Sequence, residues 1–182
     1  MSRKYKVHNP RGVYFITCTV VGWVDLFIRP EYKDIIINSL KYCMDNKGLN
    51  VHAYVIMTSH IHLLISTKDG ISLPSVIRDF KTFTSKQLIR EIEFINESRR
   101  VWMLNKFAFE ANRQERGKSY KLWQDGYHPI EILTGEMLYQ KLDYIHQNPV
   151  VERIVEESKE YIYSSARNYA GLNGELEIDF II

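Results

Sequence analysis

One short stretch of the chain has clear chemical capacity: SHIHLLIS, in which His60 and His62 stand two apart within an apolar run. Extended backbone alternates sides at every residue. The two imidazoles therefore share one face, while Ile61, Leu63 and Ile65 face the other way, into a core. Neutral imidazole nitrogens are good ligands for divalent metals, and a pair leaves most of the coordination sphere open to other oxygens, phosphate included. The same spacing also suits two ordinary histidines on a half-exposed sheet face. A further group has to converge on the pair before it becomes a site.

The final helical stretch, LYQKLDYIHQNPVV, holds a candidate for that group. Leu138, Leu142 and Ile145 recur at helical spacing and mark the buried stripe, which turns Tyr144 roughly 120° and Asn148 roughly 90° away from its centre. Being four apart, the two stand one above the other and can address a single point. A phenol can serve as a covalent nucleophile, and an amide oxygen as a third metal ligand. The plainer alternatives are a packing tyrosine, one of twelve in the chain, and an asparagine that ends a helix before Pro149. His146 lies about 70° from the stripe and reads as a packing residue.

The elements that must hold these residues are legible from periodicity. Val13 to Val21 is β-branched and aromatic and reads as a first strand. Pro30 opens a helix that Asn46-Lys47-Gly48 closes. Two strands follow, Leu49 to Met57 and His60 to Ser66, joined tightly through Thr58-Ser59. A long helix runs from about Ser75 to Ile95 and another from about Arg99 to Arg116. Tyr120 to Leu133 reads as a short irregular hairpin, and Thr134 caps the last helix, which is expected to stop at Asn148 because Pro149 disfavours helical backbone before it. This order predicts an α+β domain with a ferredoxin-like split βαβ antiparallel sheet and helices on one face. Residues 1–149 form its body, and 150–182 a loop-rich extension packed on the same domain.

Composition limits the classes of function. With 182 residues, 45% hydrophobic and 25% charged, the chain can bury a full core without staples. Cys18 and Cys43 are too few for a disulfide framework or a four-thiolate zinc site, which fits a reducing, cytoplasmic setting. No apolar run reaches the ~18 residues of a membrane span, and the basic start lacks a signal-peptide core, so neither membrane insertion nor secretion is expected. The net charge of +2 hides segregation: residues 1–12 carry +4 and 78–121 carry +5, whereas 122–149 carry −3 and 150–182 carry −4. A polyanion would meet the amino-terminal arm and the middle block, unless these are simply solvated faces.

Several motifs together resemble one family. YFITCTVV at the first strand, AYVIMTSHIHLLIS around the histidines, LWQDGYHP, YIHQNPV and YSSARNYAG are similar to the tyrosine transposases of the IS200 type, especially their REP-associated relatives within the HUH endonuclease superfamily. The likeness spans nearly the whole chain. It implies that Tyr144 is the nucleophile and that His60, His62 and Asn148 hold a divalent cation, Mg2+ or Mn2+. It further implies attack on single-stranded DNA beside a hairpin, a 5′-phosphotyrosine intermediate, and a monomer in preference to a homodimer. A DNA hairpin would be gripped by Arg78, Lys81 and Ser85, which cluster on one helix face, with Lys86 and Arg90 as further contacts. Trp123 and Tyr127 are either base-stacking residues or packing residues. Thr58-Ser59 replaces the Pro-Asn that many relatives carry before the first histidine, and the stretch after Trp123 departs from some branches, so no catalytic residue is carried over from it. Two other functions compete: a domesticated hairpin-binding protein without transposition, and a metal-dependent phosphodiesterase that forms no protein adduct.

Overall fold

The computed structural model describes residues 7–113, 117 and 119–181. Strand β1 (Tyr14–Thr19) leads through a tight turn into α1 (Pro30–Lys47), then β2 (Leu49–Ile56) and β3 (His60–Thr67). Helices α2 (Leu73–Phe94) and α3 (Arg100–Asn112) follow, then the two-residue β4 (Ile130–Glu131), α4 (Gly135–Val151) and the single-turn α5 (Ala166–Tyr169). Gly48, at φ +66°, closes α1 in the left-handed conformation, the cap expected from its position.

The sheet runs β2-β3-β1-β4, antiparallel throughout. β3 thus lies between β1 and β2, as a split βαβ unit requires. The rest departs from a plain ferredoxin arrangement. An additional helix, α3, separates α2 from the edge strand, and the expected 120–133 hairpin is instead a single irregular strip along β1. Its contacts include the Val20–Trp123 bridge, hydrogen bonds from the Gln124 N–H to the Thr19 carbonyl and from the Thr17 N–H to the Tyr127 carbonyl, and β4 itself. Pro129 and the positive φ of Gly126 and His128 prevent a continuous ladder.

Helices flank both faces of the sheet, a correction to the one-face expectation. Phe15, Thr17 and His62 lie on the face covered by α4, where Tyr144 packs on Phe15 and His62. Cys18 and Ile61 lie on the opposite face, where Cys18 is fully buried close enough to Lys81 of α2 to feel its charge. Sequence periodicity assigns a face to each residue along a strand but not the side of the sheet on which a distant helix lands.

Helix α4 also runs past its expected stop. Pro149 sits inside its last turn, and the Asn148, Pro149 and Val150 carbonyls accept from the N–H groups of Glu152, Ile154 and Arg153. Burial of Ile145 and Pro149 outweighs the local bias against helix before proline. The extension does more than fill a surface. It lies along the outer edge of β2, with the Ile56 N–H donating to the Tyr163 carbonyl and the Ser165 N–H to the Tyr54 carbonyl, so the strand presents no open edge there.

Candidate active site

β3 is an inner strand, so a side chain on its α4 face is enclosed on both sides. His62 is 4% exposed, stacked on Phe15 at 5.3 Å, and its Nδ1 lies 2.8 Å from the hydroxyl of Thr17, its partner across the β1–β3 ladder. Burial, and after it the charges of His60 and Lys141, pushes the His62 imidazole down to about 3, which keeps it neutral at physiological pH. The Thr17 contact occupies the inner nitrogen. The outer nitrogen, Nε2, is left facing the Tyr144 hydroxyl at 3.5 Å.

His60 stands next along the same face, its ring centroid 4.7 Å from that of His62 and its Nδ1 3.2 Å from the Ser59 hydroxyl. Burial lowers its pKa as well, partly offset by Glu152. Two neutral imidazoles side by side form a donor set that a divalent cation fits. Among the described residues, no three histidine, cysteine, aspartate or glutamate side chains converge for that purpose. Among the described residues, a third protein ligand would therefore be of another kind.

Helix α4 brings the remaining groups. The Thr134 hydroxyl caps it by accepting from the Met137 N–H, and Leu142, Ile145 and Pro149 are its buried residues. Tyr144, 47% exposed, projects over the His62 ring at 5.1 Å with its edge against Phe15 at 5.8 Å. One turn on, the Asn148 side-chain nitrogen donates to the Tyr144 carbonyl at 2.9 Å, which leaves the amide oxygen for another partner. The fold thus joins Tyr144 to the histidine pair within one chain.

Two neighbours of this cluster escaped the sequence reading. Thr17 orients His62, and the period-two pattern of β1 could have put it on the histidine face had the strand pairing been known. Lys141 lies three residues before Tyr144, a spacing that shares a helix face, and its ammonium sits 4.8 Å from the Phe15 ring centre and 5.7 Å from that of Tyr144. It brings positive charge to an otherwise acidic part of the sequence. His146 points into packing, as expected: its Nε2 meets the Ser165 hydroxyl at 3.0 Å, its ring lies against Tyr169, and burial pushes it down to about 4.

The basic residues form a second region. Arg78, Lys81, Ser85, Lys86 and Arg90 line a cleft of about 800 Å³ between α2 and the 119–127 strip. Their roles within it differ. The Lys81 ammonium is half-buried and donates to the Gln124 carbonyl at 2.7 Å and the Gly126 carbonyl at 2.6 Å, so it ties the strip down. Arg78 pairs with Asp79, whereas Lys86 and Arg90 are exposed. Trp123 is a core residue, packed on Phe27 and donating its indole N–H to the Thr84 hydroxyl at 3.0 Å. Arg3, Lys4, Lys6, Arg116 and Lys118 of the two basic blocks lie outside the described residues.

Residues 25–115 match the family model described as "Transposase IS200 like", a span that includes both histidines and ends before Tyr144. A Haemophilus influenzae protein assigned as a REP-associated tyrosine transposase is 26% identical over 166 residues, 91% of this chain and 85% of its own length. The fold is similar to that of a REP-associated tyrosine transposase solved bound to a REP hairpin. That likeness has a TM-score of 0.66 at 17% identity and covers 100% of this chain and 94% of the other. With half of its length matched by the family model, the chain belongs to the IS200-like transposases.

Proposed function

We propose that this protein cleaves and rejoins single-stranded DNA at a hairpin, with Tyr144 as the covalent nucleophile. The observation that carries the reading is the Tyr144 hydroxyl 3.5 Å from the outer nitrogen of His62, in the same chain. In the proposed step the phenolic oxygen attacks a backbone phosphorus in line with the leaving oxygen. The Oη–P bond forms, the P–O3′ bond breaks, the phenol loses its proton to water, and the departing oxygen takes a proton to become a free 3′-hydroxyl. The 5′-phosphotyrosine conserves the ester, so a second 3′-hydroxyl can reverse the attack and join a new strand.

His60, His62 and the Asn148 amide oxygen would hold Mg2+ or Mn2+, whose charge would offset that developing on a nonbridging phosphate oxygen. Thr17 fixes the His62 ring so that its outer nitrogen points at the site. Lys141 adds positive charge beside the Tyr144 ring, where a phosphate must lie. Phe15 packs beneath both rings and limits their freedom. The hairpin is held by the α2 cleft, chiefly through Lys86, Arg90 and Arg78, with Ser85 as a neutral donor and Lys81 supporting the strip opposite. Because the nucleophile and the histidines meet within one chain, a monomer suffices.

The test is incubation with end-labelled single-stranded hairpin DNA, with Mg2+ or with chelator. The expected result is a covalent protein–DNA band that needs the cation and disappears in Tyr144→Phe. Persistent hydrolysis in that variant would establish a metal phosphodiesterase instead, and tight metal-independent binding without cleavage a binding module. Mixing Tyr144→Phe with His62→Ala protein should restore nothing if the site is complete in each monomer. Restored cleavage would show that the tyrosine acts in a partner's site.

A further inference from the structure

The turn after β1 is constructed in an expensive way. Gly22 and Trp23 both have left-handed backbone, at φ +64° and +55°. Glycine adopts this freely, but for a bulky residue it is strained and persists only where the surroundings impose it. The surroundings here do so. Val21 and Val24 on either side are both 3% exposed, the Val21 N–H donates to the Leu122 carbonyl, and the Trp23 N–H donates to the Val20 carbonyl. At Gly22, a Cβ would fall 2.6 Å from the Lys106 side chain, so the turn is packed from outside as well.

The result of that strain is an indole held outward. Trp23 is 61% exposed, with most of its apolar ring in solvent. Its ring meets one described aromatic neighbour, His60, edge-on at 5.6 Å and 72°. Most of the indole surface remains open to solvent, next to the outer histidine of the pair. A rigid, exposed aromatic ring beside a phosphate-handling centre has the chemistry of a platform for an unpaired base.

We propose that Trp23 is a stacking platform for the base flanking the scissile phosphate, so that it places that phosphate against His60 and Tyr144. The assignment builds on the reading of the His60–Tyr144 cluster as a DNA-cleaving site. It makes Trp23 a determinant of how the single strand is seated, separate from the hairpin-binding cleft on α2. Stacking is tolerant of base identity but needs a base, so an abasic nucleotide at that position should be a poor substrate.

The experiment uses full-length protein and a single-stranded oligonucleotide with one hairpin and an unpaired flank, carrying 2-aminopurine at successive flank positions. Binding is read by fluorescence in the Tyr144→Phe background, and cleavage by covalent adduct formation in the Tyr144 protein. Quenching is expected at one flank position, lost in Trp23→Leu and kept in Trp23→Phe. Adduct formation at limiting DNA should fall about tenfold or more in Trp23→Leu, with a smaller change at saturation and no further loss on an abasic flank. Equal quenching and equal adduct formation in Trp23→Leu and the parent would overturn the platform. Quenching that depends on Trp23, with no adduct from any protein, would leave the platform standing and overturn the cleavage reading. Thermal melting of each variant separates misfolding from loss of stacking, and the phenylalanine variant tests the ring itself.

Discussion

Two kinds of buried polar cluster occur in this molecule, and they differ in one respect. Around Glu97, whose side chain is 1% exposed, every oxygen is engaged: Arg29, Tyr32 and both the backbone and guanidinium of Arg99 donate to it. His52 is closed in the same way, with Nδ1 on the Asp179 carbonyl at 2.7 Å and Nε2 on the Ser66 hydroxyl at 2.9 Å. His62 is as buried as His52, but only its inner nitrogen has a short contact, at 2.8 Å, and its outer one meets a half-exposed phenol at 3.5 Å. Burial and residue type do not separate these clusters. The length of the outer contact does, since a hydrogen bond at the limit of its range to a half-exposed group is one that a ligand can replace.

The sharpest break between the two kinds should come from the nucleophile. Tyr144→Phe removes one oxygen from a half-exposed ring and should leave the melting temperature nearly unchanged. Covalent adduct formation on hairpin DNA should fall by at least about a thousandfold, read by gel. A comparable adduct yield would remove Tyr144 from the reaction.

Disturbing a closed cluster should do the reverse. Glu97→Ala leaves two arginines and a tyrosine without their carboxylate, and should cost about 2–3 kcal/mol, less than a fully buried pair because both arginines keep some solvent. Denaturant unfolding measures it, and the adduct formed per folded molecule should not change. The same group sets a pH dependence. Burial alone would raise the Glu97 carboxyl, but the hydrogen bonds and charge of Arg99, with Arg29, hold it down to about 2. Its folded pKa lies below its unfolded value, so its contribution is full above about pH 4.5 and is lost as pH falls towards 2. Stability measured between pH 5 and 3 should decline less steeply in Glu97→Gln.

Thr17→Val lies between the two kinds, because it frees the inner nitrogen of His62 without touching the outer one. Apparent cation affinity in the adduct assay should weaken about tenfold, the lower end of what losing a ligand-orienting partner costs, with stability changed by about 1 kcal/mol. The smallest effect belongs to the α2 cleft. Replacing Arg90 or Lys86 with alanine should lower hairpin affinity modestly and reduce the slope of log affinity against log salt by about 1 each, with the adduct yield at saturating DNA unchanged.

Much of this site could be read before the fold. Period two alone put His60 and His62 on one face, and helical spacing alone turned Tyr144 and Asn148 away from the buried stripe. Those are properties of regular backbone, so local sequence carries them. Thr17 and Lys141 were missed for opposite reasons. Thr17 matters through cross-strand register with His62, a contact 45 residues away in sequence, whereas Lys141 sits at a visible helical spacing that no motif marked. The basic residues do share a cleft along α2, but no local pattern marks Lys81 as the one whose ammonium binds two carbonyls of the facing strip.

By itself, then, the amino-acid order determined the order of elements from β1 to α3 and the final long helix, the cap at Gly48, the alternation of faces along each strand and the family to which the motifs point. Tertiary structure decided which face α4 covers, that Pro149 lies within the helix, and that the Tyr144 hydroxyl reaches His62 of its own chain. The physical reason is range. Backbone geometry repeats over a few residues and leaves its period in the sequence, but the docking of α4 on the sheet is chosen by burial summed over Leu142, Ile145, Pro149 and the strands beneath them, and no local pattern encodes that sum.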